Sequence, residues 1–380
     1  MMVSGDWLTR PATQALCAAL QAGGHRVLFV GGCVRNALLG ELVGDLDLAT
    51  DALPEKVVRL VEAAGFKAIP TGIDHGTVTV LAGGLPHEIT TFRRDVQTDG
   101  RHAVVAYSTD VAQDAARRDF TMNALYADPS GEVIDPLGGL PDLRARRLRF
   151  VGEPAQRIRE DYLRILRFFR FFATYGDPAL GMDAEGLAAC AELADGIDGL
   201  SRERIGAEMR KLLSARDPAP ALASMAASGV LRHVLSGADP RYVAPLVHLE
   251  AGAPPHWQRR LVVLGGQDWD NALRLSRSEQ GLMARLRDQV GNALSPAALG
   301  WRLGPDAGAD AVLARAAVLE SPLPDEWKAD VARGAASRFP VTAADLMPGL
   351  SGPALGAKLA ELESHWLASD LRLSRDDLLA

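Results

Sequence analysis

A chain of 380 residues that is 48% hydrophobic and 23% charged has the composition of a folded globular protein, long enough for two or more domains. Its net charge of −7 excludes a protein that coats nucleic acid through global positive charge, and Cys17, Cys33 and Cys190 are too few and too widely spaced for a disulfide framework or a cysteine zinc site. No basic stretch followed by an apolar one opens the chain and no run of roughly 20 apolar residues occurs, so export and membrane spanning are not expected and a reducing, cytoplasmic setting fits.

Residues 27–30 form a β-branched and aromatic run that reads as a buried strand; Gly31 and Gly32 end it, and residues 34–39 read as a short helix closed by Gly40. Leu46 and Leu48 alternate with Asp45 and Asp47, as on a strand with one apolar and one polar face. Pro54 opens a helix whose Val57, Val58, Val61 and Ala64 form one stripe. Residues 77–81 and 87–92 read as a hairpin joined by the five residues 82–86. From Gln156 the period turns helical, and the remainder is Ala- and Leu-rich, broken near residues 252–255 and 322–324. The expected fold class is α+β: a mixed head over residues 1–150, followed by an all-helical remainder in two parts, 151–215 and 216–380.

Chemistry concentrates in four places. Paired glycines after a strand let backbone N–H groups approach a phosphate, and the following helix N-terminus adds a favourable dipole. Asp45 and Asp47, at i and i+2 on a strand, project from one face about 6.6 Å apart, a spacing that suits two shared divalent ions; it equally suits the solvent face of an edge strand. Glu88, on a strand of the same region, is a candidate third acid or an ordinary exposed one. In the run 114–124, Arg117 and Arg118 suit a triphosphate, while Asp119 and Asn123, one helical turn apart, suit ribose hydroxyls; a solvated helix face has the same spacing. Lastly, Asp161 and Arg164 at i and i+3 place an acceptor and donors on one helix face, enough to pair with the edge of a base or simply with each other. Phe168, Phe169, Phe171 and Phe172 read as helix core rather than a stacking platform. Residues 141–170 carry nine arginines against four acids, a local basic patch on an acidic protein that permits selective RNA contact.

In this order and spacing, Gly31-Gly32-x-Val34-Arg35, Asp45-x-Asp47, Arg117-Arg118-Asp119-Phe120 with Asn123, and Glu160-Asp161-x-x-Arg164 resemble the class II tRNA nucleotidyltransferases, the CCA-adding enzymes. Residues 98–102 and 160–171 look most like the alphaproteobacterial and mitochondrial branch. The resemblance implies a polymerase-β-like head followed by helical neck, body and tail that grip the acceptor and TΨC arms of tRNA. It implies Mg2+ on Asp45 and Asp47, with Glu88 left as the candidate third catalytic acid of the residue reading. It places Gly31, Gly32 and Arg35 against the triphosphate, Asp119 at the ribose, and Asp161 and Arg164 at the edge of a base that is C and then A; Arg117, Arg118, Asn123 and Arg167 join them as nucleotide-binding candidates. Residues 93–102, with Asp99 and Arg101, correspond to the flexible loop of the CTP-to-ATP switch. CTP and ATP are the implied substrates, and neither a membrane nor a stable protein partner is implied. One departure stands out: Asn36 occupies a position that is usually Asp.

Full CCA addition is expected over C-only addition, A-only addition or poly(A) synthesis, because Asp99-Gly100-Arg101 is present and no long basic tail follows. A catalytically silent tRNA-binding protein is disfavoured by Asp45 and Asp47. A dinucleotide-binding fold is excluded, since no G-x-G-x-x-G follows the first strand.

Overall fold

The computed structural model describes the chain except Thr71, Gly100, Arg101 and Pro348; for Asp74, residues 95–99 and residues 102–105 it describes the backbone alone. The chain divides into two units, residues 1–200 and 201–380. The segment expected at 151–215 is thereby shared, residues 151–200 with the first unit and 201–215 with the second.

Among its described residues the first unit contains nine strands: β1 (Val27–Val30), β2 (Leu46–Thr50), β3 (Lys67–Ile69), β4 (Thr77–Ala82), β5 (Leu85–Thr91), β6 (Arg93–Asp99), β7 (His102–Tyr107), β8 (Tyr126–Ala127) and β9 (Val133–Ile134). Seven form one mixed sheet in the order β3-β4-β5-β2-β1-β8-β9, and β6 and β7 pair with each other. At the centre β2 runs antiparallel to β1 and parallel to β5, with Asp47 opposite Glu88. A parallel neighbour needs a crossover, which helix Pro54–Ala63 supplies.

Two loop expectations are corrected. The β4–β5 connection is two residues rather than five, because pairing runs on to Ala82 opposite Leu85. Gly83 (φ 60°) and Gly84 (φ 78°) then make the tight turn, which needs positive φ at both places. Residues 93–102, expected as a loop, belong largely to the antiparallel pair β6–β7, whose register shifts between Asp95 and Gln97. Arg101 and the side chain of Asp99 lie outside the described residues.

Helix Leu163–Tyr175 completes the first unit by burying an aromatic face. Phe168 and Phe169 are fully buried and Phe171 and Phe172 nearly so, which agrees with reading them as core. Phe120 packs on Phe150 at 5.0 Å and Phe171 at 5.2 Å, and each such ring contributes roughly 1.5–3 kcal/mol by leaving water. The helical run around Asp161 is not continuous. Helix Pro154–Glu160 ends, Asp161 is extended (φ −157°, ψ 105°), and the next helix starts at Leu163. Just after the break the Tyr162 ring packs on Gly196, where a Cβ would stand 1.9 Å from it.

Among its described residues the second unit has helices and no sheet. Trp366 packs on Trp301 and Phe339 at 5.4 and 5.5 Å. Elsewhere Arg260, 1% exposed, donates to the Leu213 carbonyl at 2.7 Å, closing the end of helix Arg202–Leu213, and pairs with Glu250 at 2.7 Å. Removing one member of such a buried pair costs roughly 3–5 kcal/mol. Among the described residues no helix is long and apolar enough to cross a membrane.

Candidate active site

The apolar face of β2 is sealed by Leu46 and Leu48, 5% and 0% exposed, which turns Asp47 outward; Asp45, expected on the same strand, lies one residue before β2 begins, where its charge still acts on Asp47. Asp45 and Glu88 are exposed and Asp47 is half-buried between them, beside Glu88 through the β2–β5 register. Partial burial, then the charges of Glu88 and Asp45, push the Asp47 carboxyl up to about 6, while Arg118 opposes the rise. Carboxylates that repel one another on one face favour a cation between them. Hard oxygen donors suit a small divalent ion. Among the described residues no group of three or more His, Cys, Asp or Glu is arranged to enclose one. Asp45 and Asp47 therefore fit the mode in which one or two carboxylates hold the ion and substrate phosphates and water complete its shell.

Opposite these acids lies the turn after β1. Gly31 has φ 69°, a conformation costly for other residues, and helix Gly32–Leu39 starts immediately after it. Arg118 Nη1 stands 3.5 Å from where a Gly31 Cβ would be. Its guanidinium is anchored from behind: Nε donates to the Tyr126 hydroxyl at 3.0 Å and Nη2 to Asp114 Oδ2 at 3.1 Å. Tyr126 donates to the same Asp114 oxygen at 2.7 Å, and Arg117 Nε donates to Asp114 Oδ1 at 2.8 Å. Burial alone would raise the Asp114 carboxyl, but Arg118, Arg117 and Tyr126 outweigh it and hold it below the usual carboxylate range. The two arginines, expected to act together, diverge. Arg117 lines a separate cavity of about 200 Å³ with Arg94, Gln113, Ala116 and Arg157.

Asp119 and Asn123 are not on one helix, as their spacing suggested. Helix Val111–Ala116 stops before Arg117, and Thr121–Asn123 is a single 3-10 turn. They nevertheless meet: Asn123 Nδ2 donates to Asp119 Oδ1 at 2.9 Å, and Arg167 Nε donates to Asp119 Oδ2 at 2.8 Å. Burial pushes the Asp119 carboxyl up, yet Arg167, Asn123 and the Phe120 N–H hold it low.

Arg35, expected against a triphosphate, is 6% exposed and turned into this network. It donates to Asn123 Oδ1, to the Tyr175 hydroxyl at 2.7 Å and, through Nε and Nη2, to Asn36 Oδ1 at 3.1 and 2.9 Å. Asn36 Nδ2 in turn donates to the Leu42 carbonyl at 2.8 Å, which a carboxylate has no proton to do. The departure at this position thus has a local reason.

The Arg164 N–H donates to the Asp161 carbonyl at 2.9 Å, while the two side chains have other partners. Asp161 Oδ1 accepts from the Leu163 N–H at 3.1 Å, starting the second helix. Arg164 Nη1 pairs with Glu160 at 2.6 Å, and the guanidinium also donates to the carbonyls of Arg157 at 2.8 Å and Arg117 at 3.2 Å. Arg157 binds the other oxygen of Glu160. Of the nine arginines in the basic patch, Arg157, Arg164 and Arg167 therefore turn inward onto Glu160 and Asp119, while Arg144, Arg147, Arg149 and Arg159 face solvent.

Sequence reasoning missed Asp114, Tyr126, Glu160 and Tyr175 as site residues. For Asp114 and Glu160 a local signal existed, since each lies three and four positions from an arginine that it binds. Tyr126 and Tyr175 carried none, because their partners come from other elements.

A glycine turn beside two neighbouring acids at the start of a strand, with an arginine clasped over the turn, defines a nucleotidyltransferase head. Residues 27–149 match the family described as "Poly A polymerase head domain", and residues 180–241 that described as "Probable RNA and SrmB- binding site of polymerase A". The mitochondrial CCA tRNA nucleotidyltransferase 1 of Danio rerio is 33% identical over 392 residues, spanning 96% of this chain and 89% of that protein. Its human counterpart is 44% identical over 190 residues, 50% of this chain and 44% of that protein. The crystal structure of the Bacillus stearothermophilus CCA-adding enzyme in complex with CTP superposes with a TM-score of 0.73 at 28% identity, covering 94% of this chain and 93% of that one. A Thermotoga maritima CCA-adding enzyme complexed with tRNA, 18% identical, shares the fold with a TM-score of 0.66, covering 96% and 92%. The chain belongs to the class II CCA-adding enzymes, a family of divalent-metal-dependent nucleotidyltransferases.

Proposed function

We propose that this protein adds or repairs the 3′-terminal CCA of tRNA without a nucleic-acid template, transferring nucleotides from CTP and ATP and releasing pyrophosphate. The observation that carries the reading is the cluster of Asp45, Asp47 and Glu88 carboxylates within electrostatic reach of Arg118, whose guanidinium stands over the Gly31 turn. Asp45 and Asp47 would hold magnesium, with Glu88 as a third acid; when bound, the metal lowers the barrier by activating the 3′ hydroxyl and stabilising the leaving pyrophosphate. Gly31 and Gly32 admit the triphosphate to backbone N–H groups, and Arg118 supplies a charged donor above them. Arg164 presents guanidinium donors and Asp161 carboxylate acceptors to the base edge, replacing a template strand. Glu160 keeps Arg164 in place for that task. Asp119, Asn123 and Arg167 frame the ribose side, with Arg35 behind them as a tie. Residues 1–150 serve as head, 151–215 as neck and 216–380 as body and tail, the helical parts receiving the acceptor and TΨC arms. Three buried thiols without a disulfide fit a reducing compartment, the cytoplasm.

The test is incubation of purified protein with magnesium, CTP and ATP on tRNAs ending at the discriminator base, at C and at CC, with the products sized. Growth of all three to one CCA end is the expected result. Extension only by C, only by A, or into a long A tail reassigns the substrate, and no extension overturns the reading.

A further inference from the structure

We propose that Tyr126, together with Asp114, is a positioning residue for the incoming triphosphate, holding the Arg118 guanidinium over the Gly31 turn. The inference rests on the nucleotidyltransferase reading and adds to it a residue outside the recognised motifs. Tyr126 is fully buried on β8, directly opposite Val30, the last residue of β1 before the turn. The strand pairing that delivers the phosphate turn therefore also delivers the hydroxyl that anchors Arg118. That hydroxyl accepts from Arg118 Nε at 3.0 Å and donates to Asp114 Oδ2 at 2.7 Å, a double role open to an O–H group and closed to a hydrocarbon.

The anchoring is one-sided. Nε and Nη2 of Arg118 are engaged on the Tyr126–Asp114 side. Nη1 has no hydrogen-bond partner among the described residues and is the nitrogen nearest the Gly31 turn. The side chain keeps 19% of its surface open, so the free end of the fork is the end a ligand reaches. Asp114 is 1% exposed, and its carboxylate is shared by Arg117 and Arg118, so two guanidinium charges meet one carboxylate and a net positive charge remains for an anion. A flexible side chain clasped in its binding rotamer binds phosphate without losing further freedom. Phosphate affinity, rather than base choice, should therefore depend on the Tyr126 hydroxyl.

The experiment compares the full-length protein with Tyr126→Phe and Asp114→Asn. The readouts are KM for CTP, ATP and tRNA, kcat, Tm, and direct binding of inorganic tripolyphosphate and of cytidine. For Tyr126→Phe the expected result is a parallel rise of about tenfold in KM for CTP and ATP and in the Kd for tripolyphosphate. Cytidine binding, tRNA KM and the CTP/ATP ratio stay unchanged, and kcat stays within about twofold. Asp114→Asn is expected to show the same pattern with a larger rise. Tripolyphosphate affinity equal to wild type in a folded Tyr126→Phe overturns the proposal, as does a fall in Tm with no shift in either nucleotide KM. If Tm shows Tyr126→Phe to be unfolded, the same two results in Asp114→Asn overturn it. Absence of CCA addition by the wild type would sink the functional reading instead, while tripolyphosphate binding still decides the role of Tyr126.

Discussion

The guanidinium of Arg35 lies 4.0 Å from the ring centroid of Tyr175 and donates to its hydroxyl at 2.7 Å. Helix Gly32–Leu39 is thereby tied to the last residue of helix Leu163–Tyr175. Burial pushes the Arg35 guanidinium below its ordinary value, and the partners it directly bonds, Asn36, Asn123 and Tyr175, are all neutral. The tie therefore rests on hydrogen bonds and ring stacking rather than on an ion pair. Tyr175→Phe keeps the stack and removes the acceptor, so the fold should lose about 1–2 kcal/mol and Tm should fall by roughly 2–6 °C. Tyr175→Leu, which also removes the ring, should fall further. A melt of Tyr175→Phe that overlays wild type would show that the hydroxyl contributes nothing.

Asp47→Asn should abolish transfer, leave tRNA affinity intact and make the metal-free protein more stable. The sign follows from a carboxyl raised from 3.8 to about 6. Such a group costs stability when charged: nothing below its unfolded value, and increasingly as pH rises through the folded one. Allowing for solvent screening at a half-buried site, the gain is about 1 kcal/mol, a Tm higher by roughly 2–4 °C at pH 8. Melts in chelator at pH 5 and pH 8 check this, with a difference at pH 5 of roughly half that at pH 8, because the cost accrues between the unfolded and folded values. Substantial residual transfer by the variant would remove the metal role of Asp47.

Arg164→Ala should alter the choice between CTP and ATP more than the rate at saturating nucleotide. Glu160 keeps Arg157 as a partner in this variant, so the local structure should persist. Competition between the two nucleotides on a tRNA ending in CC is the measurement. A preference identical to wild type would dismiss Arg164 as a base reader.

Acid should loosen the first unit at the network around Arg118 and Arg167. Asp114 and Asp119 are both held below 3.8 in the folded protein. Their contribution is complete above that value and is lost as pH falls below it through the depressed folded values. Hydrogen exchange between pH 5 and pH 2.5 should show protection around Asp119 declining only below about pH 4. A decline beginning near pH 6 would mean that some other group controls this region.

What could be read in the chain alone is what depends on neighbours in sequence. Leu46 and Leu48 are core while Asp47 is turned the other way because side chains on a strand alternate, and Gly31 marks a turn because its positive φ favours glycine. The phenylalanines of helix Leu163–Tyr175 are core because their spacing matches a helical stripe. Even so, local periodicity misjudged two places. It drew one helix through Asp161, where the chain is extended between two helices, and another through Asp119 and Asn123, which meet across a loop instead.

Tertiary structure alone decided which arginine serves the phosphate turn and which partners hold it. Arg117 and Arg118 are equivalent as letters; the pairing of β8 with β1 brings Tyr126 to Arg118 and leaves Arg117 facing a different cavity. Glu88 stands beside Asp47 through the β2–β5 register, and Arg35 meets Tyr175 across 140 positions of chain. These contacts depend on how strands pair and helices pack, and no local propensity encodes the distance between residues that the fold alone makes neighbours.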